Sequence, residues 1–165
     1  SKLHDFDGIT PTVANIRPSS RGEISIVSND SRINPKIKMN YLSTQDDRMV
    51  AAKGLKLIRK IMLETETFKK YQPEEYRPGV HITNDEELVK AGSEFTQTIF
   101  HPVGTCKMGK DENSVVNDKL YVHGLQNLRV IDASIMPNIT SGNTNAPTIM
   151  IAEKGADFIL NNLIK

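Results

Sequence analysis

The sequence has little of several features that would place it in a protein class. It contains one cysteine, Cys106, so it cannot form an internal disulfide, and its thiol content does not indicate a redox compartment. No apolar run approaches the roughly 20 residues that span a bilayer. Lys and Arg number 21 against 20 Asp and Glu, with no basic tract, for a net charge of +1. We therefore expect neither a transmembrane segment nor a nucleic-acid partner.

Two further features are missing at the level of motifs. The N-terminus has neither an initiator methionine nor the apolar stretch of a signal peptide, so we interpret Ser1 as a cut inside a longer chain. Because of that cut, the missing signal carries no information on location, and a cytoplasmic protein is a separate expectation. No GxGxxG follows a predicted strand, and there is no GxxxxGK[ST] loop that would hold phosphates. At 165 residues the chain is one domain or a domain-sized piece of a larger protein.

Alternating apolar residues predict two strands, at 22–28 and 36–41. The turn residues at 29–30 would join them in an antiparallel hairpin. We expect further short strands, the last of them buried, at 98–100, 120–122 and 128–131.

Helical patterns occupy much of the remaining sequence. A near-capping box at Ser43 precedes an apolar stripe over 50–62, and Asn84 is a favourable N-cap for a short helix that ends at 91–95. A final helix is expected over 147–163, with proline in its first position. Helices that do not alternate strictly with the strands indicate an α+β fold, with an antiparallel or mixed sheet and packing helices.

Three segments are not explained by composition alone, and two others accompany them in a fixed order. The three are 101–109 (HPVGTCKMG), 128–134 (LRVIDAS) and 141–148 (SGNTNAPT). The two that precede them are 17–22 (RPSSRG) and 40–43 (NYLS). Together they closely resemble the C-terminal region of the glucose–methanol–choline (GMC) oxidoreductases, especially the bacterial alcohol and choline dehydrogenase-like branch. The resemblance covers nearly the whole chain.

The resemblance implies both an architecture and an activity. Residues 1–100 would form part of a substrate-binding domain, and residues 101–165 a catalytic loop and a C-terminal strand–helix segment. That segment would dock on an FAD-binding domain of the same polypeptide that lies outside this chain. The activity implied is oxidation of a primary or secondary small-molecule alcohol, with hydride transfer to flavin N5. The alternatives are a hydroxynitrile lyase of the same family and a non-catalytic binding module.

His101 is the candidate general base. It follows an apolar segment and precedes Pro102, so its ring could be held on a loop at the end of a strand. A largely neutral imidazole near pH 7 can accept the hydroxyl proton that must leave when an alcohol is oxidised. The alternative is a purely structural histidine, but the resemblance implies that His101 is the catalytic histidine of the family.

Asn145 matches a second active-site position, which is His in some family members and Asn in others. Its amide can donate a hydrogen bond to the substrate oxygen but cannot take up a proton, so it would orient the substrate beside the base His101. Two alternatives stay open. Asn145 could be only the N-cap of the helix at Pro147, or Asn143 could fill the polar role.

The resemblance also implies cofactor contacts. A helix N-terminus carries about half a positive charge, and Ala146, Pro147 and Thr148 would lie near the N1/C2 carbonyl edge of the flavin. Asp132 and Ala133 would lie against its ribityl–diphosphate portion. Without the resemblance, Asp132 is equally well a turn residue that ends a strand.

The remaining thiol and imidazoles carry no motif. Cys106 lacks the base and electropositive setting of a nucleophile, and with His101 and His123 it lacks the paired short spacings of a zinc site. We expect no metal site and a buried, structural Cys106. We expect packing or surface roles for His4, His81 and His123.

Overall fold

The computed structural model describes residues 4–163. In chain order the elements are strands β1 (Glu23–Ser25) and β2 (Lys36–Lys38), helices α1 (Gln45–Glu64), α2 (Glu66–Lys69) and α3 (Asp85–Ser93), a 3₁₀ turn (Ala133–Ile135) and helix α4 (Asn145–Leu163). Helices with a small antiparallel sheet confirm the predicted α+β class. The described chain divides into two compact units. The first unit is residues 4–15 and 42–97, and the second is residues 16–41 and 98–163.

The predicted hairpin is confirmed, with shorter strands than expected. β1 and β2 pair antiparallel, with Ile24 opposite Ile37. Every residue of both strands is exposed, so neither face of the hairpin gains stability from packing against other residues. Asn40 has φ +55°, a left-handed conformation that does not continue an extended strand. The pairing therefore stops within three residues on each side.

Helix α1 begins one residue later than the capping pattern at Ser43 predicted. The N-cap is Thr44, whose hydroxyl accepts a 3.3 Å hydrogen bond from the Asp47 amide. The Asp47 side chain is buried, and its carboxylate accepts a 3.1 Å hydrogen bond from the side-chain NH₂ group of Asn15. This bond ties the start of α1 to the segment that precedes the hairpin.

The core of the first unit lies between α1 and α3. Ala52 of α1 and Leu88 of α3 are fully buried. Gly54 lies so close to Val13 that an added Cβ would be 2.7 Å from Val13 Cγ2. The predicted apolar stripe of α1 is wider than the face of the helix that packs against α3 and Val13. Three of its residues are therefore largely exposed: Val50, Leu57 and Ile61.

Asn84 caps α3 as predicted. Its side-chain oxygen accepts hydrogen bonds from the amides of Glu86 and Glu87, at 2.9 and 3.3 Å. Two free amides of the first turn thus gain a partner. The helix ends at Ser93, inside the predicted range.

An ion pair organises the connector that leads to α3. Arg59 donates to both carboxylate oxygens of Glu75, at 2.7 and 2.9 Å. Its guanidinium also donates to the carbonyls of Gly79 and Ile82. The side chain of Arg59 therefore binds three residues of the irregular connector between α2 and α3.

The second unit has its own apolar cluster, but three of the predicted strands are absent. Leu120–Val122 and 128–131 meet only at an isolated bridge between Tyr121 and Arg129. Leu120 and Asn127 have φ of +67° and +58°, which interrupts the extended conformation. Leu128 is 47% exposed and residues 129–131 are only half-buried, so the expected burial of this segment was also wrong. The buried cluster consists of Val116, Leu120, Ile135, Met136 and Ile151.

The segment 98–100 is not a strand either. It leads to Phe100, which has φ +63° and is 80% exposed. A left-handed residue at this point turns the chain immediately before His101. The catalytic histidine candidate therefore follows a sharp bend.

Helix α4 begins at Asn145, two residues before the predicted start at Pro147. The amide of Thr148 donates a 3.0 Å hydrogen bond to the Thr144 carbonyl, which closes the first helical turn. Pro147 is tolerated there because amides in the first turn have no partner within the helix. Within residues 4–163, no helix is long and apolar enough to cross a membrane.

Candidate active site

Backbone hydrogen bonds bring two of the three predicted segments together in the second unit. The amide of Cys106 donates to the carbonyl of Ser134 at 3.0 Å, and the amide of Met108 donates to the carbonyl of Ile135 at 2.8 Å. The loop 101–109 therefore lies against the 3₁₀ turn that follows Asp132. Because these bonds join main-chain atoms, the contact fixes the course of the loop.

The third segment joins the site through His101. The Nδ1 atom of His101 lies 2.9 Å from the hydroxyl oxygen of Thr144, and the Thr144 amide points at the same nitrogen from 3.4 Å. His101 is half-buried, whereas Thr144 is 7% exposed. The residue immediately before α4 therefore holds the ring of His101 across 43 positions of sequence.

Thr144 was not among the predicted site residues. The predicted site residue was its neighbour Asn145, and the alternatives were a purely N-cap role for Asn145 or a polar role for Asn143 on the other side. The structure makes Asn145 the first helical residue, so the interpretation of Asn145 as the N-cap is wrong. A threonine directly before a helix is a favourable N-cap, and that preference was the available indication that residue 144 faces the preceding loop.

The start of α4 offers backbone donors. Asn145 and Ala146 are exposed, and their amides precede the first hydrogen bond within the helix, which Thr148 makes to Thr144. Pro147 and Thr148 are half-buried, and Pro147 has no amide hydrogen. The donors therefore come from Asn145 and Ala146, at the positive end of the helix dipole.

Asp132 lies in the backbone turn that contacts the loop. It is exposed, and its carboxylate accepts hydrogen bonds from the amide and the hydroxyl of Ser134. Asp132 thereby caps the 3₁₀ turn that begins with half-buried Ala133. This local role agrees with the interpretation of Asp132 as a turn residue, and a contact with a cofactor stays a prediction for both residues.

The segment 17–22 reaches the loop that leads into α4. The Arg17 side chain donates to the hydroxyl of Ser141, which has φ +62°, and Arg21 donates to the side-chain oxygen of Asn138 at 2.6 Å. Two arginine side chains thus hold the loop that precedes Thr144 by hydrogen bonds. Its resemblance to the family was the only feature of the sequence that marked this segment.

A carboxylate closes the turn after loop 101–109. Asp111 accepts hydrogen bonds from the Ser114 hydroxyl at 2.7 Å and from the Lys107 ammonium at 3.1 and 3.2 Å. These hydrogen bonds lower the pKa of Asp111 to about 2, and the bond from Ser114 has the largest effect. Ser114 is buried, and its hydroxyl donates to Asp111. Like Thr144, it is a buried residue whose hydroxyl has a hydrogen-bond partner.

Cys106 is half-buried rather than fully buried. Among the residues that the structure describes, no group of three or more His, Cys, Asp and Glu side chains could hold a metal ion. His123 lies with Nε2 3.1 Å from the Gly109 carbonyl, and His4 stacks on Phe6 with ring centroids 4.8 Å apart. The packing roles expected for His4 and His123 therefore have specific partners.

Comparison with known proteins identifies the family. A family model described as GMC oxidoreductase matches residues 18–152. The chain belongs to the GMC oxidoreductases. The resemblance inferred from the five sequence segments is thereby confirmed.

Two curated bacterial relatives show how much of a GMC oxidoreductase this chain represents. It is 45% identical over 156 residues to an alcohol dehydrogenase [acceptor] of Pseudomonas putida, covering 94% of this chain and 28% of the relative. It is 47% identical over 159 residues to an oxygen-dependent choline dehydrogenase of Proteus mirabilis, covering 96% of this chain and again 28% of the relative. The chain thus spans little more than a quarter of the length of these relatives.

A solved structure confirms the fold assignment. An FAD-dependent oxidoreductase from Chaetomium thermophilum is 30% identical to the chain and superposes with a TM-score of 0.83, over 89% of this chain and 26% of that protein. The fold of the chain is therefore that of part of a solved FAD-dependent oxidoreductase.

Proposed function

We propose that this chain is the C-terminal catalytic part of an FAD-dependent oxidoreductase that oxidises a primary or secondary alcohol. The observation that carries the proposal is the contact between His101 and Thr144, which places an imidazole at the start of α4. Membership of the GMC family supports it, since curated relatives are named alcohol dehydrogenase and choline dehydrogenase. The FAD-binding domain would belong to the same polypeptide, outside the residues of this chain.

His101 acts as the general base in this proposal. Its Nδ1 is engaged by Thr144, so Nε2 is the nitrogen left to face the substrate hydroxyl. The alcohol gives its O–H proton to His101 and loses a hydride from the adjacent carbon, leaving a neutral carbonyl product. When bound, FAD supplies the acceptor for that hydride at its N5 atom.

Asn145 orients the substrate in this proposal. It directly follows Thr144, it is exposed, and its side-chain amide donates hydrogen bonds without exchanging protons in the physiological range. A donor aimed at the substrate oxygen stabilises the negative charge that develops there as the proton leaves. His101 and Asn145 therefore have different roles, base and hydrogen-bond donor.

The residues at the start of α4 fit the isoalloxazine edge of FAD. Asn145 and Ala146 are exposed residues whose backbone amides have no acceptor within the helix. They present donors at the positive end of a 19-residue helix, next to the residue that holds His101. We assign Ala146, Pro147 and Thr148 to the flavin edge, and Asp132 and Ala133 to the ribityl–diphosphate portion. The small side chains of Ala133 and Ala146 leave room for close approach of a planar group.

The test uses the full-length flavoenzyme that contains this chain. Mixing it anaerobically with primary and secondary alcohols should bleach the oxidised flavin spectrum. His101→Ala should lower the rate of bleaching by roughly 10² to 10⁴ while flavin stays bound. His123→Gln is the matched control, because His123 is an exposed histidine of the same unit, and it should reduce at the wild-type rate.

Two results would contradict the proposal. A flavin that stays oxidised with every alcohol, in an enzyme that cleaves cyanohydrins in a His101-dependent reaction, would indicate a hydroxynitrile lyase. Absence of both reactions in a flavin-loaded protein would indicate a binding module.

A further inference from the structure

We propose that Thr144 is a positioning residue that sets which ring nitrogen of His101 carries the proton. The inference rests on the proposed role of His101 as a base and adds a requirement that the family assignment does not contain. A histidine base needs a bare nitrogen toward its substrate, and the neutral ring has two tautomers. Only one of them leaves Nε2 free to accept a proton.

Thr144 is a buried polar residue with a defined partner. Thr144 is only 7% exposed, and its hydroxyl oxygen lies 2.9 Å from His101 Nδ1. A buried hydroxyl without a partner costs free energy, so this bond stabilises one ring orientation. The contact joins the loop after Phe100 to the residue before α4 within one compact unit.

The two contacts from Thr144 place different requirements on His101 Nδ1. The backbone amide, 3.4 Å away, can only donate, so its contact needs a bare Nδ1. The hydroxyl, at 2.9 Å, can either donate or accept. The hydroxyl is therefore the partner that permits a proton on Nδ1. When the hydroxyl accepts from Nδ1–H, Nε2 is bare, as a base requires.

The hydroxyl also suits the protonated ring. After His101 takes a proton on Nε2, both nitrogens carry hydrogen and Nδ1–H must donate. The Thr144 hydroxyl can accept this charge-assisted bond, whereas the amide cannot. The hydroxyl of Thr144 therefore serves His101 before and after proton transfer.

Helix α4 fixes the position of this hydroxyl. The Thr144 carbonyl accepts from the Thr148 amide at 3.0 Å and from the Thr148 hydroxyl at 2.6 Å. With its carbonyl held twice, residue 144 has little freedom to follow the ring if His101 moves. The orientation of His101 is thus set by the first turn of the helix.

The experiment compares Thr144→Val and Thr144→Ser in the full-length flavoenzyme. Valine keeps the branched shape and removes the hydroxyl, whereas serine keeps the hydroxyl. At saturating alcohol, Thr144→Val should reduce its flavin more slowly by on the order of tenfold, the effect of one lost hydrogen bond. The alcohol concentration for half-saturation should change little, and Thr144→Ser should recover most of the rate.

A direct reading of the tautomer accompanies the kinetics. Nitrogen-15 shifts of histidine-labelled enzyme distinguish a protonated from a bare ring nitrogen, and the His101 resonances are assigned by their loss in His101→Ala. The wild type should carry the proton on Nδ1, and Thr144→Val should move it toward Nε2. Ser114→Ala removes another buried hydroxyl of the same unit. It should lower the unfolding temperature and leave both the rate and the tautomer unchanged.

The outcomes separate this inference from the proposed function. If His101→Ala reduces flavin as fast as the wild type, the proposed function fails and the role of Thr144 fails with it. If His101→Ala is slow but Thr144→Val keeps the wild-type rate and tautomer, only the inference about Thr144 is overturned. A Thr144→Ser enzyme as slow as Thr144→Val would also overturn it, and if Thr144→Val does not fold, Thr144→Ser and the wild-type tautomer still decide.

Discussion

A Cβ atom on Gly155 would lie 2.4 Å from Cγ2 of Ile131, so the Ile131 side chain packs directly against the backbone of helix α4. Gly155 is buried, and it occupies the interior of a helix, where glycine is less favourable than alanine by about 1 kcal/mol. The close approach explains why glycine is present. It also seats α4, whose first residue is Asn145, against the turn that contains Asp132.

Gly155→Ala should therefore destabilise the protein, although alanine favours helices. Three side-chain carbons of Ile131 lie within 3.2 Å of the added Cβ, so rotation about χ1 does not by itself remove the clash. Overpacking of this kind costs about 1–3 kcal/mol. Thermal unfolding of the full-length protein measures the effect. In an Ile131→Ala background the same change should cost much less. A rise in unfolding temperature for Gly155→Ala alone would contradict the contact.

Glu75 should contribute to stability through Arg59. The side chains of Arg59 and Glu75 are 18% and 12% exposed, so the pair is largely withdrawn from water. Glu75→Gln should lower the free energy of unfolding at neutral pH by about 1.5–3 kcal/mol, the range for hydrogen bonds to charged groups. Glu66→Gln is the matched control, because Glu66 pairs with Lys69 while 90% exposed. It should change stability by less than about 1 kcal/mol.

The effect of Glu75→Gln should depend on pH. Burial raises the pKa of Glu75, but the hydrogen bonds from Arg59 and from the Gly79 amide lower it by more, so its folded pKa lies below the usual value. The stabilisation is therefore complete above the unfolded pKa of about 4.3 and is lost as the pH falls through the folded pKa. Unfolding temperatures of wild type and Glu75→Gln should converge in acid. A constant difference from pH 7 to the lowest accessible pH would contradict this account.

Helices with local capping were predictable from the sequence, but their packing was not. Asn84 and Thr44 both precede acidic first turns, and both caps are within one residue of the prediction. The apolar periodicity of α1 could not indicate how wide its buried face is, because that depends on α3 and on Val13. Val50 and Leu57 fit the helical stripe and are nevertheless exposed.

The site was predictable as a set of segments, but the contacts between them were not. Segments 101–109 and 128–134 are joined by hydrogen bonds between main-chain atoms. Almost any residue type can make such bonds, so no residue pattern in the sequence indicates them. The short aliphatic runs at 120–122 and 128–131 suited strands, but left-handed residues between and within them prevent a ladder. Thr144 was missed because its hydroxyl acts across 43 residues rather than within its own helix.

The isolated chain should bind FAD weakly and purify without colour. It has no phosphate-binding glycine loop, and the start of α4 offers only part of a flavin site. Absorbance between 350 and 500 nm, about the range of oxidised flavin, should show far less than one flavin per chain after gel filtration with added FAD. A yellow chain with stoichiometric flavin would show that the residues of this chain suffice for binding.

Asn145→Asp should separate substrate orientation from helix stability. Because α4 begins at Asn145, aspartate there lies in the first turn, where its charge is favoured by the dipole. The unfolding temperature should stay the same or rise slightly. An ionised carboxylate can only accept hydrogen bonds, however, and it would repel the negative charge that develops on the substrate oxygen. Flavin reduction by alcohol should slow by about 10²-fold, which corresponds to about 3 kcal/mol.

Two comparisons make the Asn145→Asp result specific. Asn143→Asp places the same charge on an exposed residue two positions earlier, and it should slow reduction much less if position 145 is the one that meets the substrate. Asn145→His should be better tolerated than Asn145→Asp, because an imidazole keeps a donor and the family resemblance implies histidine at the matching position in some members. Anaerobic stopped-flow reduction beside thermal unfolding measures all three. An Asn145→Asp enzyme as fast as the wild type would remove Asn145 from the active site, and equal slowing by Asn143→Asp would assign the effect to added charge alone.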